Sequence, residues 1–165
     1  MQSIVHIAAD IAITGEIAEK DLAEIAQLGF RSVVNNRVEG EDANQLSSQA
    51  EAALAWRNGM RYRHVPASKL ELFTDPVVEG MAEAIAHLPR PILLHCKSGM
   101  RSAIVWAAAE ARHRAVDDVL TALATAGYDL DFLRDELDSQ ADRRHWMPAQ
   151  PAPVEPTPAG GELAA

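Results

Sequence analysis

The sequence has one cysteine among 165 residues, which excludes an internal disulfide. No uncharged apolar run reaches the roughly 18 residues that a membrane-spanning helix needs, and the N-terminal stretch does not resemble a signal peptide. Positive charge is also scarce, because 15 lysines and arginines face 24 aspartates and glutamates, a net charge of −9. Such a chain repels nucleic-acid backbones and anionic lipid, so we expect a cytoplasmic protein that binds neither.

Patterns that bind metal ions are absent as well. The six histidines show no ligand spacing of the kind that places two of them on one helix face; they are His6, His64, His87, His95, His113 and His145. A lone cysteine does not supply the ligand set of a structural zinc site. We therefore expect neither a metal nor a cofactor.

Short apolar segments alternate with helical patterns along most of the chain. This alternation predicts an α/β fold with a largely parallel sheet, in which ligands bind at the carboxyl ends of the strands. The apolar segment at residues 91–95 fits a central strand. We expect one domain over residues 1–146. Residues 147–165 hold five of the nine prolines and show no periodicity, so we expect a disordered tail there.

The cysteine stands where the predicted strand 91–95 meets an apolar helix. A thiol at such a turn faces the positive end of the helix, where exposed backbone N–H groups favour the thiolate. Gly99 lets the loop curl so that these groups converge on an anion, and Arg101 can bind two of its oxygens. These residues predict Cys96 as nucleophile with Arg101 as catalytic partner.

The rest of the loop is predicted to bind substrate: Lys97, Ser98, Gly99, Met100 and Ser102. Lys97 adds positive charge, and Ser102 is expected either to hydrogen-bond the sulfur or to cap the helix. Arg37 follows an earlier strand and should lie at the same sheet edge, as a second positive group for substrate or as part of an ordinary turn. Alternation along the strand points His95 away from Cys96, so we expect a buried supporting ring bonded to backbone. Trp106 is expected in the core.

The loop resembles two known active sites. His95-Cys96, Gly99 and Arg101-Ser102 resemble the signature of cysteine-dependent phosphatases, a His-Cys followed by five residues and an arginine. Only four residues separate Cys96 from Arg101. The sequence CKSGMRS is in this respect similar to the shorter loop of rhodanese-type sulfurtransferases.

Segments outside the loop resemble one family, the phosphatase-like domain of beta-lactamase hydrolase-like proteins. The segments are AITGEIAEKDLAEIAQLGFRSVVNNRVEGE, YRHVPA, PILLHCKSGMRS and AGYDL. The domain occurs alone or fused to metallo-β-lactamase-type domains, and some members are described as sulfur transferases. The resemblance implies the protein tyrosine/dual-specificity phosphatase-like fold, a mostly parallel sheet of four or five strands flanked by helices. It also implies a functional link to a metallo-β-lactamase-type sulfur-oxidising protein.

The reaction depends on whether a general acid is present. A phosphatase must protonate its leaving alkoxide, and the segment after YRHVP offers Asp75 as its one aspartate, with Glu71 a weaker candidate. Asp75 before Pro76 is also explained as a helix start. We therefore predict transfer of sulfane sulfur from thiosulfate or a low-molecular-weight persulfide to an external thiol or cyanide, through a Cys96 persulfide. A phosphatase acting through a phosphocysteine, and a non-catalytic partner domain, are the alternatives.

Overall fold

The computed structural model describes residues 1–143, so the predicted tail at residues 147–165 lies outside the described part of the chain. Within residues 1–143 the elements are β1 (Val5–Ala8), β2 (Ile11–Thr14), α1 (Asp21–Gln27), β3 (Ser32–Asn35), α2 (Ser48–Arg57), β4 (Arg61–His64), α3 (Asp75–His87), β5 (Ile92–His95), α4 (Met100–Ala111), α5 (Val116–Thr125) and α6 (Arg134–Asp142), with a 3-10 helix at Asp131–Leu133. No helix among these is long and apolar enough to cross a membrane.

The five strands form one sheet in the order β1-β2-β5-β3-β4. β1 is antiparallel to β2, and every other pair is parallel. The predicted fold class and the central position of the apolar strand 91–95 are confirmed. His95 pairs with Thr14 on one side and Asn35 on the other, and Asn35 pairs with His64. The carboxyl ends of the four parallel strands are thus aligned along one edge.

Helices cover both faces of the sheet. Ile92 and Leu94 of β5 point into the larger core, which includes side chains from α3, α4, α5 and α6. Leu93 points the other way, into a smaller core with residues of α1 and α2. The alternation of a strand therefore places the Cys96 side chain on the Leu94 face and the His95 side chain on the Leu93 face.

The helix that follows the cysteine is the most deeply buried one. Every residue of α4 from Ser102 to Ala111 is buried, and five of these ten are alanines. Small side chains let α4 lie close to the sheet and to its neighbouring helices. Trp106 is 1 % exposed, which confirms its predicted place in the core.

Candidate active site

The cysteine loop, residues 96–101, joins the end of β5 to the start of α4. Cys96 is completely buried, and the Gly99 backbone N–H donates a hydrogen bond to its Sγ atom at 3.1 Å. Gly99 is the N-cap residue of α4, so the thiol lies at the amino-terminal end of a 12-residue helix. This end of a helix carries backbone N–H groups without helical partners, which attract negative charge.

Only glycine fits at position 99. Its φ of +93° lies in the left-handed region, which residues with a Cβ atom rarely adopt. A Cβ there would also lie 2.9 Å from the Tyr128 hydroxyl and 3.1 Å from Cγ2 of Ile13. The curl that directs the Gly99 N–H at the sulfur therefore depends on the missing side chain.

The Arg101 side chain is held by two partners outside the loop. Its Nη1 and Nη2 atoms donate to the two Glu41 carboxylate oxygens at 3.0 and 2.7 Å, and Nη1 also donates to the Ala67 carbonyl at 3.0 Å. The hydrogen bonds that Arg101 donates to Glu41 raise the pKa of Arg101; partial burial opposes this, and the charge of Cys96 and a hydrogen bond to it add to the increase. The guanidinium therefore connects Glu41 and the Ala67 carbonyl to the cysteine itself.

Two acidic residues, Glu41 and Asp42, bring the three predicted cations together; we call them the acidic pair. Glu41 accepts from Arg101 and also from Arg37 Nε at 2.7 Å. Asp42 contacts Arg37 Nη2 and accepts from Lys97 Nζ at 3.1 Å. Sequence analysis missed both carboxylates, although they follow the same strand as Arg37.

Arg37 lies beside the loop, as its position after β3 predicts. It is 4 % exposed, and its guanidinium is surrounded by the acidic pair and by Glu16 at 3.8 Å. Its carbonyl oxygen is 2.6 Å from Nε2 of His64. Arg37 therefore holds the acidic pair in position, and a role as a second cation for substrate stays a prediction.

The arginines set the charge of Glu41. Partial burial raises the pKa of Glu41, but hydrogen bonds from Arg101 and Arg37 outweigh this and lower it from 4.5 to about 2. Because the pKa of Glu41 is lower in the folded chain, its pairing stabilises the fold fully at pH values above its pKa in the unfolded chain. This stabilisation is lost as the pH falls through the pKa that Glu41 has in the folded chain.

Replacing Glu41 by glutamine should therefore lower the melting temperature at pH 7 by about 2 °C, and the difference should shrink as the pH falls from 4.5 to 2. Thermal unfolding of the wild-type protein and of Glu41→Gln over this pH range measures the difference in melting temperature. The exposed Glu24 on α1 provides the control, because Glu24→Gln should show no such pH-dependent difference. A Glu41→Gln difference that persisted unchanged at pH 2 would contradict a charge-based contact.

The remaining loop side chains point outward. The Lys97 side chain is 57 % exposed, Met100 is 41 % exposed, and Ser98 is also exposed. An open cleft of about 390 Å³ adjoins them, lined by Val38, Glu41, Asp42, Ser68, Lys69, Lys97 and Arg101. The predicted substrate contacts of Lys97, Ser98 and Met100 remain predictions, and their exposure at the loop surface is compatible with them.

Ser102 neither bonds the sulfur nor caps α4, in contrast to both expectations. Its hydroxyl donates to Asn36 Oδ1 at 2.8 Å, and the Asn36 amide donates to the Val65 carbonyl at 2.9 Å. The helix begins before Ser102, at Met100 with Gly99 as the N-cap, so the hydroxyl lies within its first turn. Ser102 and Asn36 therefore connect α4 to β3 and to the end of β4.

His95 is buried on the face opposite Cys96, but its partner is a carboxylate where we expected backbone. Its Nε2 is 2.5 Å from Oε1 of Glu51 on α2, and both side chains are almost fully buried. Asn35 donates to Glu51 at 3.4 Å and to the Tyr62 hydroxyl at 2.9 Å, and its Oδ1 accepts from the Arg37 N–H at 2.8 Å. One buried network thus lies behind both the cysteine loop and the segment that carries the acidic pair.

Asp75 is far from the cysteine, which removes it as a general acid. It is the first residue of α3, and Thr74 is the N-cap. Its carboxylate accepts from Arg112 at 2.9 Å and contacts Arg143. Arg112 follows the last residue of α4, roughly 16 Å along the helix axis from the cysteine loop. The weaker candidate, Glu71, accepts a hydrogen bond from Thr74 through its backbone carbonyl.

The sheet order, the helices on both faces and the cysteine loop define a protein tyrosine phosphatase-like α/β domain. A protein from Neisseria meningitidis, provisionally assigned as a phosphatase, superposes with a TM-score of 0.72 at 23 % identity, over 85 % of this chain and 99 % of that chain. Tk-PTP in its active form has a TM-score of 0.60 at 21 % identity, over 86 % of this chain and 97 % of that chain.

The chain belongs to the family described as beta-lactamase hydrolase-like protein, phosphatase-like domain, whose family model matches residues 3–113. A beta-lactamase hydrolase-like protein from Xylella fastidiosa (strain 9a5c) is 35 % identical over 140 residues, which is 84 % of this chain and 32 % of that protein. The chain spans about a third of the length of the curated relatives that it matches. The family resemblance of the sequence is confirmed.

Proposed function

We propose that this protein is a sulfurtransferase that moves sulfane sulfur from thiosulfate or a small persulfide to a thiol or cyanide, through a persulfide on Cys96. One observation carries the proposal. The buried thiol lies at a helix N-terminus, with four residues between Cys96 and Arg101, and the carboxyl group bound to Arg101 is ionised Glu41. The site thus holds a nucleophile and an anion cradle, but no protonated carboxyl group beside them.

The chemistry of sulfur transfer matches such a site. The Cys96 thiolate attacks the outer sulfur of thiosulfate, the Sγ–S bond forms, and the donor S–S bond breaks with its electron pair leaving on sulfite. Sulfite is a stable anion and takes no proton from the protein. A thiolate or cyanide then attacks the outer sulfur, and Cys96 leaves as a thiolate. No oxidant or reductant is required.

Loop length and the backbone donors support the same proposal. The Gly99 N–H already contacts the sulfur at 3.1 Å, so negative charge at this position is stabilised before substrate arrives. The Arg101 guanidinium, which interacts with Cys96, can bind the oxygens of a thiosulfate that reaches the sulfur. The adjoining cleft of about 390 Å³ admits a small donor, and a larger cleft of about 890 Å³ shares Arg37, Asp42 and Lys97 with the site.

A cysteine-dependent phosphatase that forms a phosphocysteine is the second candidate. The comparisons support it more directly than sulfur transfer, because the family description contains "phosphatase-like" and solved relatives are described as phosphatases. Glu41 is the residue on which this candidate depends. An oxyanion that displaced the Glu41 carboxylate from Arg101 would raise its pKa, and Glu41 could then protonate a leaving alkoxide.

Intact-protein mass spectrometry after incubation with thiosulfate, and separately with glutathione persulfide, tests the proposal. We expect a gain of one sulfur atom that cyanide or a thiol removes. A parallel assay follows release of aryl alcohol from an aryl phosphate across pH. Aryl phosphate turnover with a bell-shaped pH profile, and no sulfur adduct, would replace sulfur transfer by the phosphatase candidate.

We further propose that the acceptor is external and that sulfur passes between this domain and a metallo-β-lactamase-type sulfur-oxidising protein. The chain has one cysteine, so it holds no second thiol to accept the sulfur. The curated relatives named beta-lactamase hydrolase-like are about three times as long as the aligned region. Mixing sulfur-loaded protein with such a partner should discharge the adduct, and an unchanged mass would exclude the transfer.

A further inference from the structure

A groove of about 600 Å³ lies between the end of β4 and the first turns of α3. The buried side chains of Val65 and Val77 and the exposed rings of Pro66 and Pro76 line it. Gly80 lines it too, and a Cβ atom there would lie 3.2 Å from Cγ1 of Val65, so a side chain at this position would point into the groove. Residues 1–143 thus leave a mainly apolar groove uncovered.

The end of α6 is anchored beside this groove. The Arg143 side chain contacts Asp75, the residue before Pro76. The side-chain amide of Gln140 donates to the Phe73 carbonyl at 3.2 Å. Both contacts hold the end of α6 against the segment that leads into α3, so the chain continues from residue 143 next to the groove.

The sequence that follows Arg143 suits an apolar groove. Trp146 is three residues farther on, and Met147 and Pro148 come directly after it. Three residues of extended chain span about 10 Å, which is sufficient to carry Trp146 from the Asp75 contact to the adjoining Pro76. A tryptophan side chain buries about 150–250 Å² when it packs, so this residue can cover much of the exposed apolar surface.

We propose that Trp146 docks into the groove of its own chain, with its ring against Val65, Val77 and the two prolines. The short tether from Arg143 gives a high effective concentration, which favours this groove over the groove of a second copy. The proposal does not rest on sulfur transfer. It adds a contact between the segment after α6 and the surface formed by β4 and α3.

The docked ring would lie next to a support of the active site. Ala67 directly follows Pro66, and its carbonyl oxygen accepts from Arg101 Nη1 at 3.0 Å. The Ala67 N–H donates to the Asn36 carbonyl at 3.1 Å. The segment that forms one side of the groove therefore also holds Arg101, and a docked Trp146 would brace it from the side opposite to the cysteine loop.

Quenching of tryptophan fluorescence by acrylamide tests the docking in the full chain. The chain has three tryptophans; Trp106 is 1 % exposed and Trp56 is 65 % exposed. In a Trp56→Phe background, quenching therefore reports on Trp146. We expect strong protection that does not change when the protein is diluted. Quenching equal to that of free tryptophan would overturn the proposal, and protection that is lost on dilution would assign the contact to a second copy.

Filling the groove should release Trp146. In the same background, Gly80→Leu should raise the quenching constant at least about threefold, because the new side chain occupies the groove. Ala86→Leu is the matched control, since Ala86 is exposed on the same helix and does not line the groove. Full protection of Trp146 in a folded Gly80→Leu variant would place the ring elsewhere and reject the groove.

Hydrogen exchange gives a readout that does not depend on the Gly80 variant. Trp146→Ala should speed amide exchange at Val65 and Ala67 by about threefold or more, because their N–H groups lose the cover of the ring. Phe132→Ala is the control, because Phe132 is an aromatic residue that is 75 % exposed away from the groove, and its loss should leave these amides unaltered. Equal exchange in wild-type protein and Trp146→Ala would contradict the docking.

Discussion

Replacing Cys96 by serine is expected to lower sulfur transfer, and any hydrolysis of an aryl phosphate, by at least about a thousandfold. A serine hydroxyl stays protonated at neutral pH and does not carry sulfane sulfur, so neither proposed covalent intermediate forms. The substitution should leave the fold intact, because a serine oxygen can accept the Gly99 N–H in place of Sγ. Activity assays with thiosulfate and with an aryl phosphate measure the loss.

Thermal unfolding is the control for this variant. A melting temperature within about 3 °C of the wild-type value would show that the loss lies in the chemistry. Turnover at the wild-type rate in a correctly folded serine variant would reject Cys96 as nucleophile. Both proposed functions would then fall, because each depends on a covalent intermediate on Cys96.

Replacing Arg101 by lysine should lower turnover by about a hundredfold to a thousandfold, although the positive charge is kept. The guanidinium binds both oxygens of Glu41 and the Ala67 carbonyl at once, and it also interacts with Cys96. A single ammonium group cannot hold Glu41 in this geometry and bind two oxygens of a substrate. Steady-state rates should show a lower kcat together with a higher KM for thiosulfate.

The chain offers a matched control on the same helix. Arg112 follows the other end of α4 and also binds a carboxylate, Asp75, at 2.9 Å. Arg112→Lys should leave turnover within about twofold of the wild-type rate. Equal rates for the Arg101 and Arg112 variants would mean that Arg101 serves the fold alone.

The sequence was sufficient for those parts of the fold and site that depend on local spacing. Alternation of short apolar and helical segments predicts the parallel sheet, and the uninterrupted apolar run before the cysteine predicts the central strand β5. Cys96, Gly99 and Arg101 lie within six consecutive residues, so the geometry of one strand-to-helix turn brings them together. The start of α4 at Met100 follows from the left-handed Gly99, which is its N-cap residue.

Contacts between distant segments were not predictable in the same way. Glu41 is 60 residues from Arg101, and Glu51 is 44 residues from His95. Glu41 and Asp42 occur in a polar loop with no periodicity, where a charged residue is normally solvated. Arg37 was predicted near the cysteine loop because it follows a parallel strand, and the carboxyl ends of such strands share one sheet edge. Glu41 and Asp42 follow the same strand, so the same reasoning could have predicted them.

Two further residues show the limits of short-range patterns. Asp75 was a candidate general acid because it is an aspartate in the segment after β4. It is the first residue of α3, however, and its carboxylate binds Arg112 at the end of α4 that is farther from the cysteine. Tyr128 lies in AGYDL, a segment that resembles the family, but the segment does not indicate which residues the tyrosine contacts. Its approach to Gly99 depends on how α5 packs against the sheet, which no local pattern encodes.

The contact between Glu41 and Arg101 has a consequence for the entropy of binding. A free arginine side chain loses about 2 kcal/mol of rotamer entropy when it is immobilised. Here Glu41 and Ala67 hold the guanidinium before any ligand is present, so folding has already restricted its rotamers. A ligand oxygen that binds this guanidinium meets a side chain with little conformational freedom left to lose, and only the ligand itself must be ordered.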